Sequence, residues 1–402
     1  MISGSGLIDT ITNIPCAVSG FCIRNDEVVA FRGPFGVMGL SFYNSEGIFC
    51  LASEPQAFGE FDPFYWQKLM NGDPYGVGFR DLLPGEVIGL KDDKIVNSAI
   101  INPESLYWAG GSGVAVKQFS VGSDSLDGLI EQMSWIDDQG LIHDGSSNEF
   151  RCIFEDIYKK DPPASNHLVS TIRFRARLGR YLSPLPEGIS LDDIVVMPVP
   201  DSGRSAASGY SNEYQYKMKE GFIKRVKKRS YLVSDARRSE LADDKYAVVP
   251  GAFNNGKDGK VVVIIDDSIV RGTTIYRMII KAFEAGARKV FFKSTAPPLR
   301  HFCPFSGGMD KKSDFVAMDR TLDEIYSWVF EQCLIELNDK HEQGIYSDEK
   351  FDYMLSKINK EFINIEYNTP ESLINCYNSF FVDERQRICT GCINGEFPFV
   401  IQ

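Results

Sequence analysis

No run of about 18 apolar residues occurs in the 402-residue chain, so no membrane-spanning helix is expected. The opening Met1-Ile2-Ser3-Gly4-Ser5-Gly6 lacks the basic and apolar regions of a secretory signal, and a cytoplasmic location is expected. No internal repeat or low-complexity tract interrupts the sequence. Positive charge is in deficit: 43 Lys and Arg against 55 Asp and Glu leave a net charge of −12. That balance argues against a general nucleic-acid binder, and it makes the basic run Lys224–Arg229 a local feature needing its own explanation. The nine cysteines are too sparse in so long a chain to form a secreted disulfide framework. A reducing compartment with some metal-binding cysteines fits better. With 43% hydrophobic residues the chain can build real cores, and its length suits about two or three domains.

What is present is organised around residues 261–286. Val261 to Ile265 are five β-branched apolar residues in a row, the signature of a strand buried on both faces of a parallel sheet. Asp266 and Asp267 stand where that strand should end. The loop Ser268, Ile269, Val270, Arg271, Gly272, Thr273, Thr274 follows, with Gly272 free to adopt unusual backbone angles and a threonine available to cap the next helix. Ile275, Met278, Ile279, Ala282 and Phe283 recur at helical spacing, and Gly286 stops the helix. Loop amides and hydroxyls ahead of a helix can cradle a phosphate, and paired carboxylates can hold a ribose diol or Mg²⁺. Together they suit a sugar phosphate. A second buried strand, Ile194–Pro200, ends in the turn Asp201-Ser202-Gly203-Arg204, whose amides could meet an anion.

The stretch 262–274 resembles the 5-phosphoribosyl-1-pyrophosphate (PRPP) loop of type I phosphoribosyltransferases, and in its Asp-Asp-Ser-Ile-Val-Arg-Gly-Thr-Thr form the glutamine PRPP amidotransferase branch. Further segments resemble the same branch: Phe31–Gly36, Leu51–Glu54 and Leu83–Val87 in the first hundred residues, and Cys152–Tyr158 at the entry to the transferase part. The fold class implied is α/β: a type I phosphoribosyltransferase Rossmann-like parallel sheet, preceded by a partial Ntn-hydrolase αββα sandwich. The division expected is 1–100 partial glutaminase-like, 101–149 connecting insertion, 150–325 phosphoribosyltransferase and 326–402 a C-terminal helical tail with cysteines. Short strands are expected at Cys16–Ile23, Val28–Phe31, Val37–Phe42 and Gly47–Ala52, and helical patterns at Leu322–Leu337 and Phe351–Ile363. The stretch 334–362 is longer than the family's usual connection and reads as an insertion.

The resemblance implies displacement of pyrophosphate from PRPP by ammonia, giving 5-phosphoribosylamine. Asp266 and Asp267 would be catalytic and, with Ser202, would hold Mg²⁺. PRPP would lie on residues 201–204 and 266–274 and on Lys245, under a basic cover that includes Arg225–Arg229. Some members of the branch carry a structural four-iron, four-sulfur cluster, and its ligands match Cys152, Cys303, Cys389 and Cys392; zinc with four thiolates is the rival. Departures accompany the likeness. The family expects an acid at Gly33 and Arg-Pro at Met38-Gly39. The first half of its glutaminase domain, with the catalytic N-terminal cysteine, has no counterpart. Cys16 sits in an apolar strand pattern and reads as a buried small side chain. The chain is therefore expected to hydrolyse no glutamine by itself and to use free ammonia or ammonia from a separate glutaminase subunit. A transferase for another acceptor and a non-catalytic PRPP-binding regulator stay open. Homo-oligomerisation is expected; nucleic acid and membrane partners are not.

Overall fold

The computed structural model describes residues 19–24, 27–33, 38–45, 48–60, 79–82, 86–91, 94–101, 116–119, 134–136, 142–144, 150–160, 162, 165–166, 169–224, 246–254, 259–303, 315–380 and 387–397. The chain divides into two compact units. One comprises Met1–Thr171, Cys303–Asp310 and Phe381–Gln402; the other comprises Ile172–Phe302 and Lys311–Phe380. Among the described residues no helix is long and apolar enough to cross a membrane.

The first unit is built on antiparallel strands: β1 (Ser19–Arg24), β2 (Glu27–Arg32), β3 (Ser41–Ser45), β4 (Ile48–Ala52), β5 (Phe79–Asp81), β6 (Glu86–Lys91), β7 (Lys94–Ile101) and β8 (Val116–Phe119). They form a five-stranded sheet, β1-β2-β6-β7-β8, and a three-stranded sheet, β4-β3-β5. Ala30, Leu40, Phe42, Leu82, Ile88 and Leu90 make a common core. Buried Arg32 donates to the carbonyls of Leu82 at 2.6 Å and Met38 at 3.3 Å, so its charge is tied to backbone acceptors.

The second unit is a parallel sheet with helices. Its elements are α1 (Thr171–Arg180, beginning at the unit boundary), β10 (Ile194–Pro198), α2 (Arg204–Tyr214), β11 (Lys217–Met218), β12 (Phe222–Lys224), β13 (Tyr246–Val248), β14 (Val261–Asp266), α3 (Thr273–Glu284), β15 (Lys289–Ser294), α4 (Leu322–Glu342), α5 (Asp348–Lys357), β16 (Ile363–Tyr367) and α6 (Pro370–Asn378). The sheet order is β11-β10-β14-β15-β16, every pair parallel. All six residues of central β14 are buried. Val262 and Ile264 pack into the core under α3 and α4, while Val261, Val263 and Ile265 pack into the core with α2, which is why an unbroken apolar run suits this position.

Two local expectations are corrected here. Gly272, not a threonine, is the N-cap of α3, and no side chain caps that end; Thr273 and Thr274 are its first two residues. The helical pattern at 351–363 ends earlier, with α5 stopping at Lys357. Ile363–Tyr367 is the edge strand β16, where Ile363 and Ile365 are buried and Asn364 between them is exposed. That alternation is the two-residue period of a strand, which a short apolar run masks.

β9 (Phe150–Cys152) in the first unit pairs in parallel with β17 (Arg387–Cys389), bringing Cys152 into register with Cys389.

Candidate functional site

The ends of β10 and β14 meet in the second unit. The Val199 amide donates to the Ile265 carbonyl at 2.9 Å, and the Gly203 amide to the Val199 carbonyl at 2.9 Å. A Cβ on Gly203 would lie 2.2 Å from the Ile265 carbonyl oxygen, so only glycine lets the 201–204 turn close onto the central strand. The hydroxyl of Ser202 is thereby set 3.5 Å from Asp266 Oδ1. Asp201 lies between Arg204 at 3.6 Å and Lys224 at 3.5 Å, all three side chains about half exposed. Pairs this exposed contribute little to stability, and both cations can turn to an incoming anion.

The acid pair is buried, Asp266 at 6% and Asp267 at 4% exposure. Asp266 Oδ1 accepts the Asp267 amide at 3.0 Å, and Asp267 Oδ1 accepts the Ser268 hydroxyl at 3.0 Å. Asp267 Oδ2 is buried without a hydrogen-bond partner. Burial pushes the Asp267 carboxyl above the usual aspartate range, opposed by hydrogen bonds from Ser202 and Ser268 and by the Arg175 charge. Ser202 thus bears on both carboxylates. An orphaned carboxylate oxygen in a protein interior is expensive unless a cation or donor completes it. The backbone under the pair is fixed from β15: the Thr295 amide and hydroxyl donate to the carbonyls of Asp266 (3.0 Å) and Asp267 (3.1 Å), and the Ala296 amide to that of Asp267 (2.8 Å).

Beyond the acids, Ile269 is buried and anchors the loop. The Val270 carbonyl accepts the Val316 amide at 2.8 Å. Gly272 adopts φ 75°, while Arg271 and Thr273 are exposed. Residues 201–204 and 266–274 are therefore gathered at the carboxyl end of one parallel sheet, where open α/β folds bind ligands. Lys245 and the rest of 225–245 lie outside the described residues; their flanks, β12 and β13, pair antiparallel with Lys224 opposite Tyr246. Sequence reasoning assigned no role to Arg175 or Thr295. A buried arginine on α1 and a hydroxyl one residue past a strand are signals visible only when the neighbours are known.

The four cysteines converge in the first unit. Burial raises the Cys152 thiol well above its ordinary value, with Glu155, Cys392 and Cys389 adding to the effect. Burial, then Cys389 and Cys303, pushes Cys392 up to about 12. Cys389 is raised by burial and, beyond an opposing amide bond from Gly391, by Cys303. Cys152 feels Cys389 and Cys392, and both of these feel Cys303, so the four side chains share one neighbourhood. Among the described residues no three histidine, cysteine or acidic side chains stand in metal-ligating geometry.

No family model matches the chain. It is 28% identical over 320 residues to the amidophosphoribosyltransferase of Methanocaldococcus jannaschii, covering 79% of this chain and 58% of that one. With the amidophosphoribosyltransferase of Pseudomonas aeruginosa it shares 31% identity over 229 residues, 53% of this chain and 45% of the relative. The Methanothermobacter thermautotrophicus amidophosphoribosyltransferase is 25% identical over 378 residues, 94% and 59% of the two chains. The chain thus spans about half the length of the curated relatives it matches. Among solved structures, glutamine PRPP amidotransferase from B. subtilis complexed with ADP and GMP superposes with a TM-score of 0.65 at 22% identity, covering 100% of this chain and 69% of that one. The fold is that of the PRPP amidotransferase structures, with the type I phosphoribosyltransferase sheet.

Proposed function

We propose that this chain, which resembles the amidophosphoribosyltransferases, transfers the phosphoribosyl group of PRPP to ammonia as in purine biosynthesis. The observation that carries the reading is the unpartnered Asp267 Oδ2, buried beside Asp266 and Ser202 at the end of the central strand. A diol or a metal ion is what such an oxygen lacks. The carboxylates of Asp266 and Asp267 would bind the ribose hydroxyls and stabilise positive charge growing at the anomeric carbon. The loop 268–274 would receive the 5′-phosphate at the start of α3, since the first amides of a helix have no intrahelical acceptor and favour an anion. The 201–204 turn, with Arg204 and Lys224, would hold the pyrophosphate, and Lys245 would add a further cation. The ammonia nitrogen forms the new bond to the anomeric carbon as the carbon–oxygen bond to pyrophosphate breaks, the electron pair leaving with pyrophosphate and a proton leaving the nitrogen.

Ser202, Asp266 and Asp267 fit Mg²⁺: hard oxygen donors, one of them orphaned. These residues would hold the ion, which would supply positive charge toward the pyrophosphate. For the four cysteines we propose the iron–sulfur cluster, supported by four thiols in one neighbourhood, which is the ligand complement such a cluster needs.

Ammonia is the proposed nitrogen donor, free or delivered by a separate glutaminase chain. In the first unit the Cys50 thiol is raised by burial, the wrong direction for a nucleophile. The deciding experiment measures pyrophosphate release from PRPP with ammonia, glutamine and other amine acceptors side by side. Release with ammonia alone is expected. Release only with another acceptor would reassign the reaction, and binding of PRPP with no release would leave a regulator.

A further inference from the structure

The loop 268–272 is braced from outside itself. One brace is the Val316 amide on the Val270 carbonyl. The other is Trp328, whose ring lies against Gly272. A Cβ built on Gly272 would stand 2.4 Å from Trp328 Cζ3 and 2.7 Å from Cη2, with Val316 Cγ2 at 3.4 Å. The indole therefore occupies the space that any side chain at 272 would need. Its own position is secured. Trp328 sits on α4 between the buried anchors Ile325 and Val329, and α4 starts at a capping box formed by Thr321 and Glu324. The ring also meets Tyr276 of α3 edge-on, with centroids 6.4 Å apart at 78°. The tryptophan thus spans from α4 to the left-handed residue that starts α3, yet nothing in the chemistry above uses it.

We propose that Trp328 is a positioning residue, which from α4 holds the left-handed Gly272 and with it the 268–272 backbone in the arrangement that receives the 5′-phosphate. The inference rests on the assignment of that loop to PRPP. A glycine populates both signs of φ with similar ease, so an unwalled Gly272 would spread over several loop conformations. Only the competent fraction binds, and the apparent dissociation constant rises by the inverse of that fraction. The contact is made by the far edge of the six-membered ring, which a phenylalanine at the same position reaches only in part.

Titration calorimetry with Mg²⁺–PRPP on the full chain tests this, comparing wild type, W328F and W328A, with circular dichroism melts to report folding and steady-state kinetics alongside. The dissociation constant and KM for PRPP are expected to rise about tenfold in W328A, with W328F between, if the competent loop drops to about a tenth of the population. kcat should stay within about twofold, because the ring touches none of the reacting atoms. Wild-type tryptophan emission should shift on adding Mg²⁺–PRPP, and that shift should be missing in W328F. Unchanged PRPP affinity in a folded W328A overturns the inference while leaving the loop's assignment intact. If W328A does not fold, the wild-type minus W328F emission decides, and no response to PRPP there overturns it. Failure of wild type itself to bind PRPP would overturn the loop's assignment first, and this inference with it.

Discussion

Ser202 Oγ lies 3.5 Å from Asp266 Oδ1, although 64 residues separate the two in sequence. The contact joins the turn after β10 to the acid pair after β14, so a cation or ligand at one is felt at the other. Gly203 makes it possible by letting the turn meet the Ile265 carbonyl directly. The site is therefore a property of two adjacent parallel strands, not of the 266–274 loop alone.

Replacing Asp267 should separate activity from stability. Asp267→Asn keeps the side chain's shape and removes a buried charge whose Oδ2 has no partner. Without ligands, the variant should melt at a higher temperature than wild type, since a neutral amide is cheaper to bury than a carboxylate with one oxygen unpartnered. Its PRPP-dependent turnover should fall by orders of magnitude, in the range seen when one transition-state contact is lost. Thermal melts and pyrophosphate-release kinetics on the same preparation check both. A less stable but fully active variant would refute the assignment.

The same group sets a pH dependence. Burial raises the Asp267 carboxyl in the folded protein above its unfolded value. A raised folded value means the stability contribution is complete below the unfolded value, about pH 4, and is lost as pH rises through the folded one. Ligand-free wild type should lose melting temperature relative to Asp267→Asn across that window. The proposed binding of Mg²⁺–PRPP uses the ionised form, so the stabilisation conferred by the ligand should grow over the same window. Melting curves of both proteins with and without ligand, taken against pH, give the difference directly; a flat difference would contradict it.

Much of this arrangement was legible from residue types. Five β-branched residues ending in two acids could be placed as a central strand, because burial on both faces demands an unbroken apolar run. The turn 201–204 and the loop 268–274 were readable for the same reason: each follows such a run. The capping of α3 was not, because the left-handed Gly272 replaces a side-chain cap. The edge strand β16 was obscured by its length and by the helical spacing just before it. Arg175, Thr295 and Trp328 act on the acids or the loop across elements far apart in sequence, and no local pattern marks them. Nor does any local pattern mark Lys293, whose side chain is 1% exposed.

That lysine is paired with Glu366 of β16 and also donates to the Ser183 carbonyl at 2.9 Å. Burial pulls its ammonium below the ordinary lysine value, and Glu366 opposes the shift. Glu366→Gln should destabilise the second unit by about 3–5 kcal/mol, the usual effect of leaving a buried charge unpaired. Lys293→Met should cost far less, because it removes the charge and keeps the volume. Denaturant melts of the two variants test the asymmetry; equal losses would mean that the pair stabilises through its attraction instead.

The cysteine quartet supplies the last prediction. β9 and β17 set Cys152 beside Cys389, and Cys392 follows within one short helical turn. Burial raises all three of these thiols, so in the metal-free protein they are neutral and poorly reactive. A bound metal reverses that balance, because its ligands must be thiolates, and uptake releases protons. Anaerobic reconstitution with iron and sulfide should yield a brown protein with roughly four iron and four sulfide per chain. Uptake would turn the four side chains toward one centre and tie Phe150–Cys152 to the segment around Cys389. Cys392→Ser should lose the colour and lower the melting temperature of the first unit, while the PRPP affinity measured by calorimetry stays near wild type, since residues 201–204 and 266–274 lie in the other unit. A colourless protein holding one zinc per chain would decide for a four-thiolate zinc site. Neither metal taken up, with melting unchanged by Cys392→Ser, would leave four free thiols and no metal centre.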